Sequence, residues 1–335
     1  MNEAFAQSLR RWVGRRGLIL ATALAFAPGL AQAQAAWPSA KPIRFVVPFA
    51  AGSATDQVAR AFGQKVGEAL GATVVVENRP GANGMLGAAE VAKAAPDGYT
   101  ILIGTNSTNA ALKSLMKSLP YDQDTAFAPV AYLGQVPLIV AVNNEVPVRT
   151  LKDLVDLAKS KPPGHITFAS ASTSQLVSSE MLASMAGIKM TNIPFKSGPD
   201  AMTNLIGGQV MMFTADFAVT VPQVRAGKIR GLAVTSMKRS AAVPDLPTVN
   251  EALGLKDYEL IAYFAAFAPA GTPAEVITRL NAAFNAGAAA RDVQERFANI
   301  GFITEPGPPS ALAERTRVET AKWARVIREA KIEVQ

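Results

Sequence analysis

Short β-branched runs alternate with stretches of helical periodicity along most of this chain, and that rhythm leaves few folds open. Ile43-Arg44-Phe45-Val46-Val47 reads as a strand. Val58, Phe62, Val66 and Leu70 then recur with a period near four, so an amphipathic helix is predicted after Thr55, ended by Gly71. Val74-Val75-Val76 is a second strand, closed by the turn Asn78-Arg79-Pro80-Gly81. A helix carrying Ala88, Val91 and Ala92 inward, a turn at Asp97-Gly98 and the strand Ile101-Leu102-Ile103 follow. The pattern restarts with Leu138 to Val142, a helix face of Leu151, Leu154, Val155 and Ala158, and strands at Ile166–Phe168, Met190–Ile193, Val210–Phe213 and Leu232–Val234. Such alternation specifies an α/β fold with mostly parallel sheets flanked by helices. Two successive sets suggest two lobes. Residues 36–137 together with 253–335 are assigned to the first and residues 138–252 to the second. The C-terminal region is expected to be mainly helical, from Pro273 to Ala288 and from Ser310 to about Ala330, and to pack back on the first lobe.

The N-terminus speaks for export. Arg10, Arg11, Arg15 and Arg16 precede an apolar run from Leu18 to Leu30, which leads into Ala31-Gln32-Ala33-Gln34-Ala35. A basic start, an apolar middle and Ala-x-Ala cleavage options after Ala33 or Ala35 make residues 1–35 a signal peptide, with the Sec route as the default. The run falls short of the roughly 20 apolar residues of a membrane span, and Pro28 interrupts it. Cleavage removes four Arg and one Glu, taking the formal charge from +7 to +4 (7 − 4 + 1). The mature chain has no dense basic run, so nucleic acid is not expected as a partner.

The chain has no Cys, and His165 is its one His. A thiol nucleophile and a Zn-thiolate site are thereby excluded, and a Ser-His-Asp triad nearly so. Gly81, Gly84 and Gly87 lack the spacing of a phosphate loop, and no Gly-x-Ser-x-Gly elbow exists. His165, in Pro-Pro-Gly-His ahead of a strand, reads as a surface loop residue. No metal, cofactor or catalytic residue is assigned.

Two loops have the chemistry to hold an anion where open α/β sheets bind ligands, at strand ends and helix starts. The first runs from Pro48 to Asp56: Gly52 permits close backbone approach, while Ser53 and Thr55 offer hydroxyls. Phe49 and Ala51 belong to the same candidate set, and Asp56 suits a helix start, with capping favoured over ligand contact. The second, Ser170-Ala171-Ser172-Thr173-Ser174-Gln175, carries more hydroxyls than one helix cap requires. Ser170, Ser172, Thr173 and Ser174 are its candidate ligand contacts. Asp216 and Phe217 follow a strand of the second lobe. Asp216 could meet a ligand amino group or cap a helix, and Phe49 and Phe217 could wall a pocket or belong to the core.

Several phrases, in order and spacing, resemble the Bug (TctC) family of solute-binding receptors. They include Lys41-Pro42-Ile43-Arg44 leading to Val47-Pro48-Phe49, Glu77-Asn78-Arg79-Pro80-Gly81-Ala82, Pro96-Asp97-Gly98-Tyr99-Thr100 and Leu119-Pro120-Tyr121-Asp122. Pro194-Phe195-Lys196, Gly207-Gly208-Gln209-Val210, Gly227-Lys228-Ile229-Arg230 and Pro269-Ala270-Gly271-Thr272-Pro273 continue the series, which spans nearly the whole mature chain. The resemblance implies a two-lobed periplasmic binding protein of the type II-like Venus flytrap kind, not an enzyme. It implies a dicarboxylate, amino acid or aromatic acid held between the lobes at residues 48–56 and 170–175. It also implies a monomer that hands its ligand to the membrane subunits of a tripartite tricarboxylate transporter. A receptor presenting its ligand to a membrane sensor kinase is the alternative. The sequence departs from the family pattern at Ser53, which replaces a glycine, and in the Ser- and Thr-rich second loop, which is about two residues shorter. A His common just after that loop is missing, and Phe195-Lys196-Ser197 replaces Tyr-Lys-Gly. Asp216 falls where the family often has an aspartate facing the cleft.

Overall fold

The computed structural model describes residues 37–334. The signal-peptide reading falls outside those residues; among them, no helix is long and apolar enough to cross a membrane.

The first strand, β1 (Ile43–Val47), is buried at four of its five positions and pairs in parallel with β2 (Val74–Asn78) and β3 (Thr100–Thr105). Between β1 and β2 runs α1 (Ala54–Leu70), which buries Val58, Phe62 and Val66 and ends where Gly71 adopts φ +61°. That left-handed conformation is cheap only without a Cβ. After the short turn at residues 82–84, α2 (Met85–Ala92) leads back to β3.

A single long strand, β4 (Phe127–Asn143), then ties the molecule together. Residues from Phe127 to Pro137 pair antiparallel with β9 (Ile261–Pro269), while Leu138 to Asn143 pair with β7 (Met212–Asp216) and β8 (Ile229–Val234). The expected strand Leu138–Val142 is therefore only the far half of β4. Residues 127–137 escape notice in the sequence because two prolines, Pro129 and Pro137, and Gly134 break their apolar pattern. The register shifts on either side of Ala131–Tyr132 absorb the irregularity. At Gly134 (φ +145°) a Cβ would meet the Ile303 carbonyl at 2.4 Å, so the close approach of that segment requires glycine.

The second lobe repeats the strand–helix rhythm. Here α4 (Leu151–Ser160), β5 (Ile166–Ser170), α5 (Thr173–Ala186), β6 (Met190–Pro194) and α6 (Gly198–Ile206) precede β7. β5 pairs in parallel with β6 and β7. α3 (Leu112–Leu115) lies earlier, between β3 and β4; α7 (Phe217–Arg225) and α8 (Val249–Leu253) flank β8. The nine strands run in the order β2-β1-β3-β9-β4-β7-β5-β6, with β8 also on β4. The result is the two-lobed α/β architecture, with β4 shared by both halves of the sheet.

The C-terminal region, expected to be mainly helical, contributes β9 at the centre of the first half, between β3 and β4. Ala265, Ala266 and Ala268 in it are fully buried. Helices cover both faces there, so small side chains fit where β-branched ones would crowd, and the usual strand signal is lost. Helices α9 (Ala274–Ala289), α10 (Arg291–Ala298) and α11 (Pro309–Glu329) complete the chain. Phe284 of α9 stacks on Phe45 of β1 at 5.4 Å between ring centroids, and tilts against Phe62 of α1 at 6.1 Å.

Candidate functional site

The loop from β1 into α1 is braced from behind. Ser53 caps α1, its Oγ accepting from the Asp56 amide at 3.2 Å. Asp56 is turned inward, 4% exposed, and its carboxylate accepts from the Gly52 amide (3.0 Å), Arg60 Nε (3.0 Å) and Asn78 Nδ2 (3.0 Å). Asn78 Nδ2 also donates to the Phe49 carbonyl. Burial alone would raise the Asp56 pKa. The Arg60, Gly52 and Asn78 bonds outweigh it and hold the acid below its ordinary value. Asp56 therefore shapes the loop and has no oxygen left facing a ligand. Gly52, at φ +80°, makes the bend, and a Cβ there would meet Pro199 Cγ of the second lobe at 3.6 Å; Ala51 beside it is exposed.

Across the cleft, Ser172 caps α5 and accepts from the Gln175 amide at a long 3.5 Å. Ser170 points away, donating to Asn192 Oδ1 at 2.7 Å. Thr173 is wholly buried, and its hydroxyl has no hydrogen-bond partner among the described residues. Ser174 makes a contact across the cleft. Its Oγ donates to Asn106 Oδ1 at 3.1 Å and lies 3.0 Å from Ser107 Oγ, which also accepts from the Ser174 amide at 3.2 Å.

Asn106 and Ser107 are positioned by an unusual continuation of β3. The chain leaves Thr105 directly into a π-helical turn, Ser107–Ala111, which passes into α3. Thr108 Oγ1 accepts from the Thr105 amide at 2.9 Å, locking the turn. Gly104 lets Asn109 lie against the strand, since a Cβ there would fall 2.2 Å from Asn109 Oδ1. Wide turns of this sort are over-represented at functional sites. Sequence reasoning missed Asn106 and Ser107; the signal available was a polar run, Thr105 to Asn109, at the end of a fully buried strand.

These elements enclose a cleft of about 40 Å³ free volume. Of the expected contacts, Phe49, Ser53, Thr55, Ser172, Ser174 and Asp216 line it. Ala51, Gly52, Asp56, Ser170 and Thr173 are not among its lining residues. Phe217 is fully buried in the core, where Gly301 packs directly on its ring, and it is not brought to the cleft. Thr105, Gln175, Lys196, Ser197, Val219 and Phe264 are further lining residues. Ser197 caps α6, accepting from the Asp200 amide at 3.1 Å. Three α-helices, α1, α5 and α6, thus begin at the cleft with a serine at each N-cap. First-turn amides unpaired within a helix, and the positive end of its dipole, attract anions. His165 lies exposed on the loop before β5, outside the lining. Among the described residues, no group of three or more His, Cys, Asp or Glu is placed to hold a metal.

Residues 58–332 match the sequence model of the tripartite tricarboxylate transporter family receptor, TctC. This chain belongs to that family. TctC proteins are solute-binding receptors rather than enzymes, and are periplasmic binding proteins. The structure of the periplasmic binding protein BugD superposes with a TM-score of 0.84 at 35% identity, covering 88% of this chain and 99% of that one. Rpa4515 of R. palustris, solved with adipate, gives 0.85 at 32% identity, over 89% and 99% of the two chains. MatC from Rhodopseudomonas palustris, solved with bound malate, gives 0.81 at 32% identity, over 86% and 99%. The likeness to these TctC-like structures runs through both lobes.

Proposed function

We propose that this TctC receptor captures a small carboxylate between its lobes, as a monomer, and delivers it to the membrane subunits of a tripartite tricarboxylate transporter. The observation that carries the reading is the convergence of three serine-capped helix starts, from both lobes, on one cleft. The adipate and malate held by related receptors support the same ligand class. A boundary at Pro137–Leu138, where β4 changes partners, agrees with lobes of 36–137 plus 253–335 and of 138–252.

A carboxylate bonded to such groups gains about 1.5–3 kcal/mol from each charge-assisted hydrogen bond. Three or four of them reach the roughly −8 kcal/mol of micromolar affinity once the costs of closure are subtracted. The test is a thermal-shift screen of the mature protein against aliphatic, amino and aromatic carboxylates, followed by calorimetry on the hits. Saturable binding of at least one carboxylate, and loss of its uptake when the gene is deleted, is the expected result. Uptake that survives deletion unchanged rules out the transport role.

A further inference from the structure

A second cavity, of about 620 Å³, opens where the chain crosses between the two halves of the sheet. Pro137 of β4 and its antiparallel partner Ile261 of β9 bring the crossing strands into its lining. One wall is the loop after β8, residues 236–242, which continues a strand paired to the far half of β4. The other wall is Ala298 at the end of α10 and the segment 301–304. Both backbone groups of Ile303 bond there to Gln135, in the near half of β4, at 3.0 and 2.9 Å. The cavity thus straddles the crossing, and its width follows the angle between the lobes.

Its chemistry is an apolar interior with a basic rim. Ala242, Phe302 and Ile303 join Pro137 and Ile261 in the lining, and Ile303 is left 60% exposed although its backbone is held on both sides. The charged residues of the lining are Lys238 and Arg239, with no Asp or Glu among the described residues that form it. Arg239 Nε is taken up by Glu251 at 2.8 Å, whereas Lys238 is exposed and makes no ion pair among the described residues. Small-molecule sites combine this size, about 300–1,000 Å³, with a mostly apolar lining and a few placed polar groups. Apolar surface left open to water and rimmed by polar groups marks a place where something binds.

We infer that this cavity is a second ligand site, separate from the cleft, for a small amphiphilic monoanion. The apolar body lies among Ile261, Phe302 and Ile303, and the acid group meets Lys238. Charge complementarity decides the class: one free cation on an apolar cavity matches one negative charge on an apolar body. The Arg-rich N-terminal segment of this chain would meet like charge there. Occupation of the site reaches the cleft by packing. Phe302 tilts against Phe264, a cleft-lining residue, at 5.5 Å between centroids, and Gly301 packs on the ring of Phe217, next in the chain to Asp216. A ligand gripped by walls from both lobes favours one angle between them and so biases the cleft.

The experiment is calorimetry of the full mature chain with octanoate, and with octanamide as its uncharged counterpart. Saturable binding of octanoate is expected, about tenfold or more tighter than octanamide. Ala298→Trp, which fills the cavity from an exposed helix position, and Lys238→Glu are each expected to weaken octanoate by about tenfold or more. Ser172→Ala, in the cleft, is expected to leave octanoate binding unchanged. Saturating octanoate is expected to shift the radius of gyration measured by small-angle scattering. No saturable binding overturns the inference, and equal binding of octanamide overturns the anion class. Binding that Ser172→Ala weakens and Ala298→Trp does not would place octanoate in the cleft and overturn the second site. An unchanged radius overturns the link to the lobe angle. A mass that doubles with concentration in wild type but not in Ala298→Trp would make this face a contact between copies of the chain instead. The carboxylate reading of the cleft stands or falls separately, by the screen above.

Discussion

Ser107 and Ser174, 67 residues apart in the chain, meet hydroxyl to hydroxyl at 3.0 Å and bind a second time through the Ser174 amide. One serine belongs to the π-helical turn after β3 and the other to the first turn of α5, so this contact holds the two walls of the cleft together without any ligand. Ser107→Ala should remove both bonds, at about 0.5–1.5 kcal/mol each. We expect a larger radius of gyration for the ligand-free variant by small-angle scattering, with ligand restoring the wild-type value. An unchanged radius would mean that the β4 crossing, not this contact, sets the lobe separation.

Ser53 and Ser172 hold equivalent places, yet they should respond differently to alanine. The Ser53 cap bond is 3.2 Å and anchors a loop that Asp56 also braces, whereas the Ser172 bond is a weak 3.5 Å. Losing a good N-cap costs about 1 kcal/mol. Ser53→Ala should therefore lower both melting temperature and affinity, while Ser172→Ala lowers affinity tenfold to a hundredfold with the melting temperature nearly unchanged. His165→Ala, on an exposed loop away from the cleft, should change neither. Paired calorimetry and thermal melts separate the three.

Asp56 and Asp216 should pull stability in opposite directions with pH. The folded state holds Asp56 below its ordinary pKa, so its contribution is present above the unfolded value of about 3.9 and is lost as pH falls through the folded value. Burial pushes Asp216 upward, against a smaller opposing effect of Gln175, so the folded state keeps its proton longer. That costs nothing below the unfolded pKa and increasingly destabilises the ligand-free protein as pH rises through the folded one. Asp216→Asn should raise the ligand-free melting temperature at pH 7 and leave it unchanged near pH 3. Asp56→Asn should lower it at pH 7. An unchanged pH 7 melting temperature in Asp216→Asn would show that the acid is compensated in solution.

The backbone of the inner cleft depends on a glycine that is not itself in the lining. Gly87 of α2 lies against Pro48, the first residue of the loop leading to Ser53, and a Cβ there would fall 2.8 Å from the Pro48 Cα and 2.9 Å from the Arg79 carbonyl. Gly87→Ala should displace that loop and reduce ligand affinity more than Gly71→Ser, a surface helix terminus with open space around it. Calorimetry on the two variants, with melts as the control for folding, checks this.

Most of the architecture was legible because each βα unit writes its periodicity into consecutive residues. Val58, Phe62 and Val66 disclose α1 without reference to anything distant. β9 was not legible. Its alanines are explained by layers on both faces that come from other parts of the chain. The two candidate loops follow from the rule that ligands sit where strands hand over to helices, and Ser53, Ser172 and Ser174 do line the cleft. Asn106 and Ser107 obey the same rule after β3, but a π-turn has no familiar spacing to reveal it. Phe217 failed the other way: an aromatic beside a cleft aspartate invites a pocket role, yet one step along the chain from Asp216 points into the core.

The position of β9 also governs when the protein can become a protein. Because Ile261–Pro269 lies between β3 and β4, the half-sheet begun by β1, β2 and β3 keeps an open edge until more than three-quarters of the chain has been delivered. A polypeptide threaded amino end first cannot close its first half early, and the long sequence separation of those pairings makes their formation slow. The pairings that complete this half of the sheet therefore come last, an order set by where β9 stands in the chain.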